Sequence, residues 1–462
     1  MNPTHKFFIS ILLFSVVAMI FSCKKFVGVD PPTNQVISSA VFSDDITATS
    51  AVLGIYNQMI ASNFNLAASG VTIYAALSAD EISNTATNAD RAEFYQNSIS
   101  SSNTALRTNL WRAAYIYIYQ ANAVIEGLNE STTISPGVKN QLMGEAKFIR
   151  AFCHFYMVNL FGDVPLSTTT DYAVNAVMPR TATSVVYQQI VNDLIDAQNL
   201  LTIAYPSSGR VRPNKWTATA LLARVYLYLK DWTNADAQAS AIISSNTYRL
   251  PRYDTVFLAS SPEAIWQLMP VGSLPGNTWE GSNLLPASAT ALPPFIISNY
   301  LLNAFEANDK RRTNWIDSNK VGTPQVIYYY PKKYKIKSGT PITEHSVVLR
   351  LAEIYLIRAE ARAQLNNIPG AQSDLNAVRN RAGLANTVAN TQALFLSQLE
   401  RERQVELFVE WGHRWLDLKR TNKADAVLGI AKAPGWQSTD ILYPIPLEEL
   451  ELNVFLSQNP GY

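Results

Sequence analysis

The sequence is poor in cysteine, in histidine and in charge. Its 462 residues include two cysteines and four histidines, and charged residues make up 16% of the chain, below the usual quarter. Cys23 and Cys153 lie in very different settings and do not suggest a disulfide framework. The histidines are scattered, and no pair has metal-ligand spacing, which argues against a zinc or iron site. We therefore expect neither a metal nor a cofactor.

The near-zero net charge argues against a nucleic-acid partner. The formal net charge is +1, and the lysines and arginines are interleaved with aspartates and glutamates. Binding to nucleic acid needs a basic face that displaces counterions, so we expect no nucleic-acid partner. The hydrophobic fraction of 48% is ample for a core. The length suggests about three domains, although large helical arrays run longer as one unit.

The start of the sequence has the pattern of an export signal. A short polar region precedes an apolar run at residues 7–21, which is short for a transmembrane helix, and Ser22 and Cys23 follow at once. This arrangement looks like the lipobox of bacterial lipoproteins, in which Cys23 becomes the acylated N-terminus. An ordinary secretory signal with an incidental cysteine is the alternative. We expect a signal peptide at residues 1–22, a tether at 23–43, and attachment to a membrane surface through lipid.

The clearest pattern in the chain predicts a helical hairpin. Apolar residues recur at helical spacing on both sides of a break at residues 366–370, namely Val347, Leu351, Ile354, Ala361 and Leu365, then Ala371, Leu375, Val378 and Ala382. One hairpin cannot bury its own apolar faces, so several normally stack, as in tetratricopeptide repeats. Residues 215–243 carry a second, imperfect copy of the pattern. An Ala-rich helix pair in an ordinary bundle explains the hairpins equally well.

The remaining chain divides by composition. Residues 44–246 are mainly helical, except that 62–103 are polar and weakly periodic, which predicts a functional surface loop. Residues 247–344 are rich in proline and glycine and predict an irregular part with strands at 264–269 and 326–330. Residues 345–462 return to helix and end in a tail that lies along the body. The other predicted helices are 48–60, 75–82, 104–128, 138–161, 184–201, 214–229, 232–244 and 391–420.

Three groups of residues could suggest catalysis. Four glutamates, Glu400, Glu402, Glu406 and Glu410, could be read as glycosidase carboxylates, but arginines are interleaved with them, and a helical salt-bridge lattice needs only that spacing. Cys153 and His154 are neighbours on a helix and point apart, so we expect core packing. Asp80 and Glu81 are also adjacent, and we expect capping or surface solvation. No residue is predicted to be catalytic.

Short segments, spread in order over nearly the whole chain, carry a resemblance to a known family. They include residues 30–35 (DPPTNQ), 144–152 (GEAKFIRAF), 160–166 (LFGDVPL), 349–353 (LRLAE), 376–384 (NAVRNRAGL), 410–420 (EWGHRWLDLKR), 444–446 (PIP) and 458–462 (QNPGY). Together they resemble the SusD/RagB family of Bacteroidetes outer-membrane nutrient-binding lipoproteins. The resemblance favours the repeat over the ordinary bundle.

The resemblance implies a mainly α fold, a tetratricopeptide-like helical hairpin scaffold with an irregular, loop-rich part containing short strands. It implies a binding protein that captures oligosaccharides, or peptides in some members, and hands them to a TonB-dependent, SusC-like transporter barrel. A glycoside hydrolase is the alternative from another class. The implied location is the outer membrane, lipid-anchored and facing the cell exterior. Lys24 and Lys25 depart from the acidic residues that follow the lipid cysteine in many surface-exported relatives.

The ligand site is predicted from aromatic residues that the scaffold does not need. Sugars present apolar C–H faces and hydroxyl edges, so they require flat aromatic rings together with amides or charged groups. Residues 276–283 form a polar, glycine-punctuated segment, and residues 84–95 lie in a similar setting. Two independent surface loops with incidental aromatics are the alternative. The predicted contacts are Trp279 and Tyr95 for stacking, and Asn88, Arg91 and Asn283 for hydrogen bonds to hydroxyls.

Overall fold

The computed structural model describes residues 38–272 and 275–462. Its helices α1 to α19 are Ser38–Val41, Asp45–Ala61, Val71–Ser78, Ala89–Gln96, Ala113–Glu130, Pro136–Phe161, Tyr172–Asn175, Thr183–Leu200, Lys215–Tyr228, Trp232–Ser244, Trp279–Leu284, Asn299–Ala304, Lys310–Asn314, Leu351–Gln364, Ile368–Arg381, Gln392–Glu406, His413–Arg420, Ala424–Ala431 and Leu447–Leu452. Two π-helical turns, Leu66–Gly70 and Leu106–Arg112, lead into α3 and α5. The predicted signal peptide, Cys23 and most of the tether lie outside the described residues.

The strands are few and short. Strands β1 to β6 are Ile82–Asn84, Ala264–Leu268, Phe295–Ile297, Ile316–Val321, Val326–Pro331 and Ser346–Arg350. They pair antiparallel as β1 with β3, β2 with β6, and β4 with β5. The predicted strands at 264–269 and 326–330 are therefore confirmed, and the mainly helical fold with short strands is as expected.

The helices form a continuous array of packed hairpins. Helix α5 packs on α6, α6 on α8, α8 on α9, α9 on α10, α10 on α14, and α14 on α15 and α16. Capping residues mark where the hairpin helices begin: the side chain of Asn214 accepts a backbone N–H of α9, that of Asp231 one of α10, and that of Asn367 one of α15. Gly383, just after α15, has φ of +80°, a conformation that closes a helix.

The predicted C-terminal helices are wrong in two places. Residues 346–350 form β6 and not the first turn of the hairpin. Val347 and Val348 are β-branched, which favours a strand, and β6 pairs with β2, which contains the buried Trp266. The predicted helix 391–420 is broken between α16 and α17. There Val409 and Trp411 adopt positive φ, and their backbone N–H groups donate to Glu81 and Thr72, which replaces helical hydrogen bonds by tertiary ones.

The predicted surface loop at residues 62–103 is also wrong in part. Every residue of the segment 66–78 is buried, and the helix expected at 75–82 lies at Val71–Ser78. Small residues allow this burial: a Cβ on Gly70 would lie 2.4 Å from the carbonyl oxygen of Phe64. The stretch Asp45–Ser78 is long and apolar enough to cross a membrane, but 72% of its apolar window is buried inside the fold, as in a core helix.

Three of the four glutamates, Glu402, Glu406 and Glu410, lie in a buried lattice of ion pairs, but its arginines come from other elements and not from the interleaved positions that the sequence suggests. Glu400 is only partly buried and pairs with Lys423. Glu406 accepts hydrogen bonds from the guanidinium groups of Arg311 at 2.8 Å, Arg350 and Arg381. Glu402 accepts from Arg311 at 2.6 Å and from Arg379 at 3.1 Å. Burial of charge is tolerated where each carboxylate is paired and hydrogen-bonded. These carboxylates are therefore part of the scaffold.

The other two groups that could suggest catalysis are core residues. Cys153 and His154 are fully buried, which confirms core packing; burial raises the pKa of the thiol and lowers that of the imidazole to about 3. The prediction of capping or solvation for Asp80 and Glu81 is wrong. Asp80 is buried in an ion pair with Arg414, at 2.7 and 2.8 Å, and burial together with the neighbouring Asp80 charge raises the pKa of Glu81 to about 8.

The C-terminal tail lies along the body, as expected. Tyr443 and Ile445 are fully buried. The side-chain amide of Asn459 donates to the carbonyl oxygens of Phe161 at 2.8 Å and Tyr443 at 2.7 Å. The tail thus covers the C-terminal end of α6.

Candidate functional site

The candidate site is organised by the turn that follows α2, residues 62–65. Phe64 has φ of 59°, a left-handed conformation that is uncommon outside glycine. The carbonyl oxygen of Asn65 accepts the backbone N–H groups of Ala68 and Gly70, each at 2.9 Å, and its side chain donates to the Tyr117 hydroxyl at 2.7 Å. The turn is thereby fixed, and Phe64 remains only partly buried.

A cavity of about 240 Å³ lies beside Phe64. It is lined by Phe64, Tyr74, Asn88, Asp90, Arg91, Thr104, Ala105, Thr108 and Asn109. The Tyr74 ring stacks on Phe94 with the centroids 4.5 Å apart, and its hydroxyl accepts a hydrogen bond from Asn109 at 2.8 Å. Burial raises the pKa of Tyr74 to about 12, so this hydroxyl stays protonated. The cavity is smaller than the roughly 300 Å³ of usual ligand pockets, so it has room for only part of a ligand of ordinary size.

Arg91 forms one wall of this cavity without an ionic partner. Its guanidinium carbon lies 5.2 Å from the centroid of the Phe64 ring and 5.7 Å from that of Phe295. Within the described residues, no carboxylate lies at ion-pair distance from Arg91, and its Nε is buried without a hydrogen-bond partner. Partial burial lowers the pKa of Arg91. A guanidinium held on aromatic faces in this way has N–H groups available for a ligand.

Asn88 holds Arg91 in place. It is the N-cap of α4, and its side-chain oxygen accepts the backbone N–H of Arg91 at 2.9 Å. The cap fixes the first turn of α4, from which the Arg91 side chain reaches the Phe64 ring. Asn88 itself remains exposed and lines the cavity.

Trp279 and Asn283 lie in a different setting from the one the sequence predicts. They are part of helix α11, and Trp279 is partly buried against the main core. The expectation of a polar loop without apolar partners is therefore wrong. The indole N–H donates to the carbonyl oxygen of Ile60 at 2.7 Å. The side chain of Asn283 exchanges hydrogen bonds with that of Asn63 at 2.7 and 3.1 Å and donates to the Ser69 hydroxyl at 2.9 Å.

Four of the five predicted ligand-binding residues lie around the 62–65 turn, namely Asn88, Arg91, Trp279 and Asn283. Asn63 contacts Asn283, and the next residue, Phe64, contacts Arg91. Tyr95 is set apart: it is 40% exposed, and the Lys432 ammonium lies 4.0 Å from its ring centroid. In the described part of the chain, no hydrogen bond or ring contact joins Tyr95 to the other four.

The sequence interpretation missed Phe64, Tyr74 and Asn109. Tyr74 lies inside the apolar run of α3 and gave no signal of its own. Phe64 stands between two asparagines immediately after an apolar helix, and an aromatic residue in such a polar turn is a signal that could have been used.

One larger cleft has charged walls that are mostly paired with each other. A cleft of about 500 Å³ lies between α10, α14, α16 and α17. Arg403 in its wall is bound to Asp417 at 2.7 and 3.0 Å, and Arg420 is bound to Glu360. Most charged groups of this cleft are therefore engaged in ion pairs, although Nη1 of Arg403 is buried without a hydrogen-bond partner.

The chemistry around Phe64 fits binding. The cavity combines aromatic rings, amides, hydroxyls and a guanidinium, and Asp90 is the carboxylate among its lining residues. Glycoside hydrolysis needs two carboxylates facing each other across the substrate. Within the described residues, no group of three or more His, Cys, Asp or Glu side chains could hold a metal ion. Fold and site define a helical-repeat protein with a cavity lined by aromatic rings, amides and a guanidinium.

Comparison with known proteins identifies the family. One family model, described as starch-binding associating with outer membrane, matches residues 29–227, and the SusD family model matches residues 272–462. A SusD-like protein of Formosa agariphila is 27% identical over 96% of this chain and 97% of its own length. The starch-binding protein SusD of Bacteroides thetaiotaomicron is 23% identical over 73% of this chain and 74% of its own. The chain belongs to the SusD/RagB family.

Solved structures show the same fold. A SusD superfamily protein from Bacteroides vulgatus aligns with a TM-score of 0.81 at 20% identity, over 91% of this chain and 100% of its own. A laminarin-binding SusD-like protein aligns with a TM-score of 0.76 at 24% identity, over 91% of this chain and 100% of its own. The tetratricopeptide-like scaffold expected from the sequence is thus confirmed.

Proposed function

We propose that this protein binds oligosaccharides at the Phe64 cavity and delivers them to a TonB-dependent, SusC-like transporter barrel. The proposed binding activity depends mainly on the Arg91 guanidinium. It lies on two aromatic rings beside the cavity, and no carboxylate of the described chain lies at ion-pair distance from it. Its N–H groups are placed to donate to sugar hydroxyls. Family membership supports the carbohydrate class, because the matching family model is described as starch-binding.

The proposed contacts differ in role from those expected from the sequence alone. Arg91 and Asn88 bond sugar hydroxyls, and Phe64 and Tyr74 supply the aromatic surface. Trp279 and Asn283 hold the 62–65 turn, because their polar groups are engaged by Ile60, Asn63 and Ser69. Stacking by Trp279 and Tyr95 stays a prediction. The partly exposed Tyr95 would contact only a ligand that extends along α4.

The proposed location is the outer membrane, with the protein anchored through an acyl chain on Cys23 and facing the cell exterior. The lipobox-like sequence supports the anchor, and the phrase "associating with outer membrane" in the family description supports the membrane. Cys23 lies outside the described residues. The barrel partner rests on the family resemblance.

A glycan array that includes peptides as controls tests the ligand class. We expect one class of oligosaccharide to bind and the peptides not to bind; peptide binding alone would contradict the carbohydrate assignment. Incubation with each bound oligosaccharide should produce no new reducing ends, whereas turnover would show a hydrolase. Affinity purification from native membranes in mild detergent tests the partner, and recovery without a barrel would count against delivery.

A further inference from the structure

Helix α11 packs against the protein on two faces. Trp279 and Asn283 are four residues apart and share one face, which holds the end of α2 and the 62–65 turn. Glu280 is turned by about 100° from Trp279 and is only 2% exposed. The helix therefore joins the candidate site on one face to a buried carboxyl group on another.

The Glu280 carboxyl group has a partner for only one of its oxygens. Its Oε1 accepts a hydrogen bond from the Ser346 hydroxyl of β6 at 2.6 Å. Within the described residues, its Oε2 is buried without a hydrogen-bond partner. Burial of an ionised carboxylate is costly unless its oxygens are paired, whereas the protonated form carries no charge. Burial accordingly raises the pKa of Glu280 to about 7 from an ordinary value of 4.5, and the neighbouring Glu344 charge adds to this shift.

The cations around Glu280 do not offset a negative charge on it. In the described part of the chain, no lysine or arginine lies at ion-pair distance from this carboxyl group. The ammonium of Lys337 donates to the carbonyl oxygens of Ser282 and Leu285, at 2.7 Å each, and so caps the end of α11. Arg350, at the end of β6, belongs to the buried lattice of ion pairs.

The other titratable groups near Glu280 lie in residues 334–344. Glu344 accepts the backbone N–H groups of Lys335 and Ile336 at 2.8 and 3.1 Å, and the Lys335 side chain is exposed. Burial and the Glu280 charge raise the pKa of Tyr334, so its hydroxyl stays protonated. On the opposite side, residues 62–70 contain no titratable side chain. An ionised Glu280 would therefore face Glu344 without a compensating cation.

Close packing couples Glu280 to the rest of α11. A Cβ on Gly281 would lie 2.3 Å from the carbonyl oxygen of Ile336, so the helix touches this backbone directly. Glu280 lies between Trp279 and Gly281 in a helix of six residues. A carboxylate that moves outward to reach water must carry this short helix with it, and the helix carries Trp279 and Asn283.

We infer that Glu280 is a positioning residue of the Phe64 cavity: in its protonated form it seats α11 and the 62–65 turn, and its ionisation loosens both. Because the folded pKa lies above the ordinary one, the contribution of protonated Glu280 to stability is complete below about pH 4.5 and is lost as the pH rises through about 7. The site is therefore best ordered at mildly acid pH. That the turn serves a sugar rests on the proposed function.

Hydrogen exchange of the ligand-free protein, measured by mass spectrometry, tests this role. The measured quantity is the protection of α11 and of residues 62–70, where the backbone N–H groups of Ala68 and Gly70 are bonded to the Asn65 carbonyl oxygen. Rates at about pH 6 and about pH 8.5 are corrected for the intrinsic exchange rate at each pH. A pKa of about 7 in the seated state and about 4.5 in the loosened state predicts that protection falls about tenfold between these pH values.

Three variants separate the titration of Glu280 from a structural role. In Glu280→Gln, which cannot ionise, protection should stay constant over this range. Ser346→Ala should move the fall to higher pH, because the Ser346 hydroxyl stabilises the ionised carboxylate. Glu81→Gln is the matched control. Glu81 is also buried and has a raised pKa, but it accepts the Val409 N–H and no group of α11, so this variant should keep the wild-type fall.

An equal fall in wild type and Glu280→Gln would overturn the inference, as would loss of the fall in Glu81→Gln. If Glu280→Gln did not fold, Ser346→Ala would decide, since an unchanged midpoint there contradicts the role of Glu280. No glycan is present in this experiment. The inference can therefore fail while the glycan array finds a sugar, and it can hold while the array finds none.

Discussion

The indole N–H of Trp279 donates to the carbonyl oxygen of Ile60 at a distance of 2.7 Å. Ile60 is in the last turn of α2, where helix carbonyl groups lack a partner within the helix. This hydrogen bond therefore caps α2 from a helix more than 200 residues away. It fixes the point from which the 62–65 turn projects Phe64 toward Arg91.

Trp279→Phe separates the positioning role of this residue from a stacking role. The variant keeps an aromatic ring and leaves the Ile60 carbonyl without its donor, so we expect the free energy of unfolding to fall by about 1 kcal/mol. Oligosaccharide affinity should change little. Denaturant unfolding and calorimetry measure the two effects. If the variant were as stable as the wild type but bound oligosaccharide more weakly, the indole would contact the ligand instead.

Arg91→Ala should weaken oligosaccharide binding by about 1–3 kcal/mol, as truncation of an anchor residue does at other interfaces. The melting temperature should stay within experimental scatter, because Arg91 has no ionic partner in the described chain. Arg312→Ala is the control, since Arg312 also lies on an aromatic ring, 4.5 Å from the Tyr329 centroid, but outside the cavity. Equal losses in both variants, or none in either, would place the ligand elsewhere.

Cys23→Ala should release the protein from the membrane. Metabolic labelling with a fatty acid should mark the wild-type chain and not the variant, and fractionation should move the variant to the soluble pool. Ser22→Thr serves as a conservative neighbour that retains the cysteine. Label of equal intensity in the Cys23 variant would show that the acyl chain is attached at another residue.

Arg350→Leu should lower the free energy of unfolding by about 3–5 kcal/mol, because Glu406 and Glu410 would lose a buried cation. The exposed pair of Lys423 and Glu400 provides the comparison: Lys423→Ala should cost less than about 1 kcal/mol. Chemical denaturation checks both values. If both variants were equally stable, the buried lattice would not be part of the structural scaffold.

Glu81→Gln should change how stability depends on pH. The folded-state pKa of Glu81 is about 8, above its ordinary value of 4.5, so the folded protein binds a proton that the unfolded chain releases. This contribution to stability is present below pH 4.5 and is lost as the pH rises toward 8. The amide cannot ionise and still accepts the Val409 N–H. We expect the difference in unfolding free energy between wild type and variant to decrease from pH 5 to pH 8, as measured by thermal unfolding. A constant difference would show that Glu81 does not titrate in this range.

Local pattern was enough to predict most helices. Periodicity gave α10 with both ends correct at Trp232–Ser244. Sequence pattern failed to predict the conformation where contacts with distant parts of the chain decide it. Val347 fits a helical period, yet it forms a strand because β2 pairs with it from some 80 residues away. Residues 66–78 are rich in small residues and read as a surface loop, yet they are buried because small side chains allow close packing.

The candidate site likewise depends partly on the sequence and partly on the tertiary structure. The sequence alone established the family resemblance, the helical-repeat scaffold and the residue types that suit a sugar, since these depend on composition and on the order of segments. Only the tertiary structure decided that Arg91 lies on Phe64 with no carboxylate of the described chain at ion-pair distance, and that Trp279 caps the end of α2. Residues 27 and 219 positions apart meet through the packing of helices, and no local sequence pattern records those contacts.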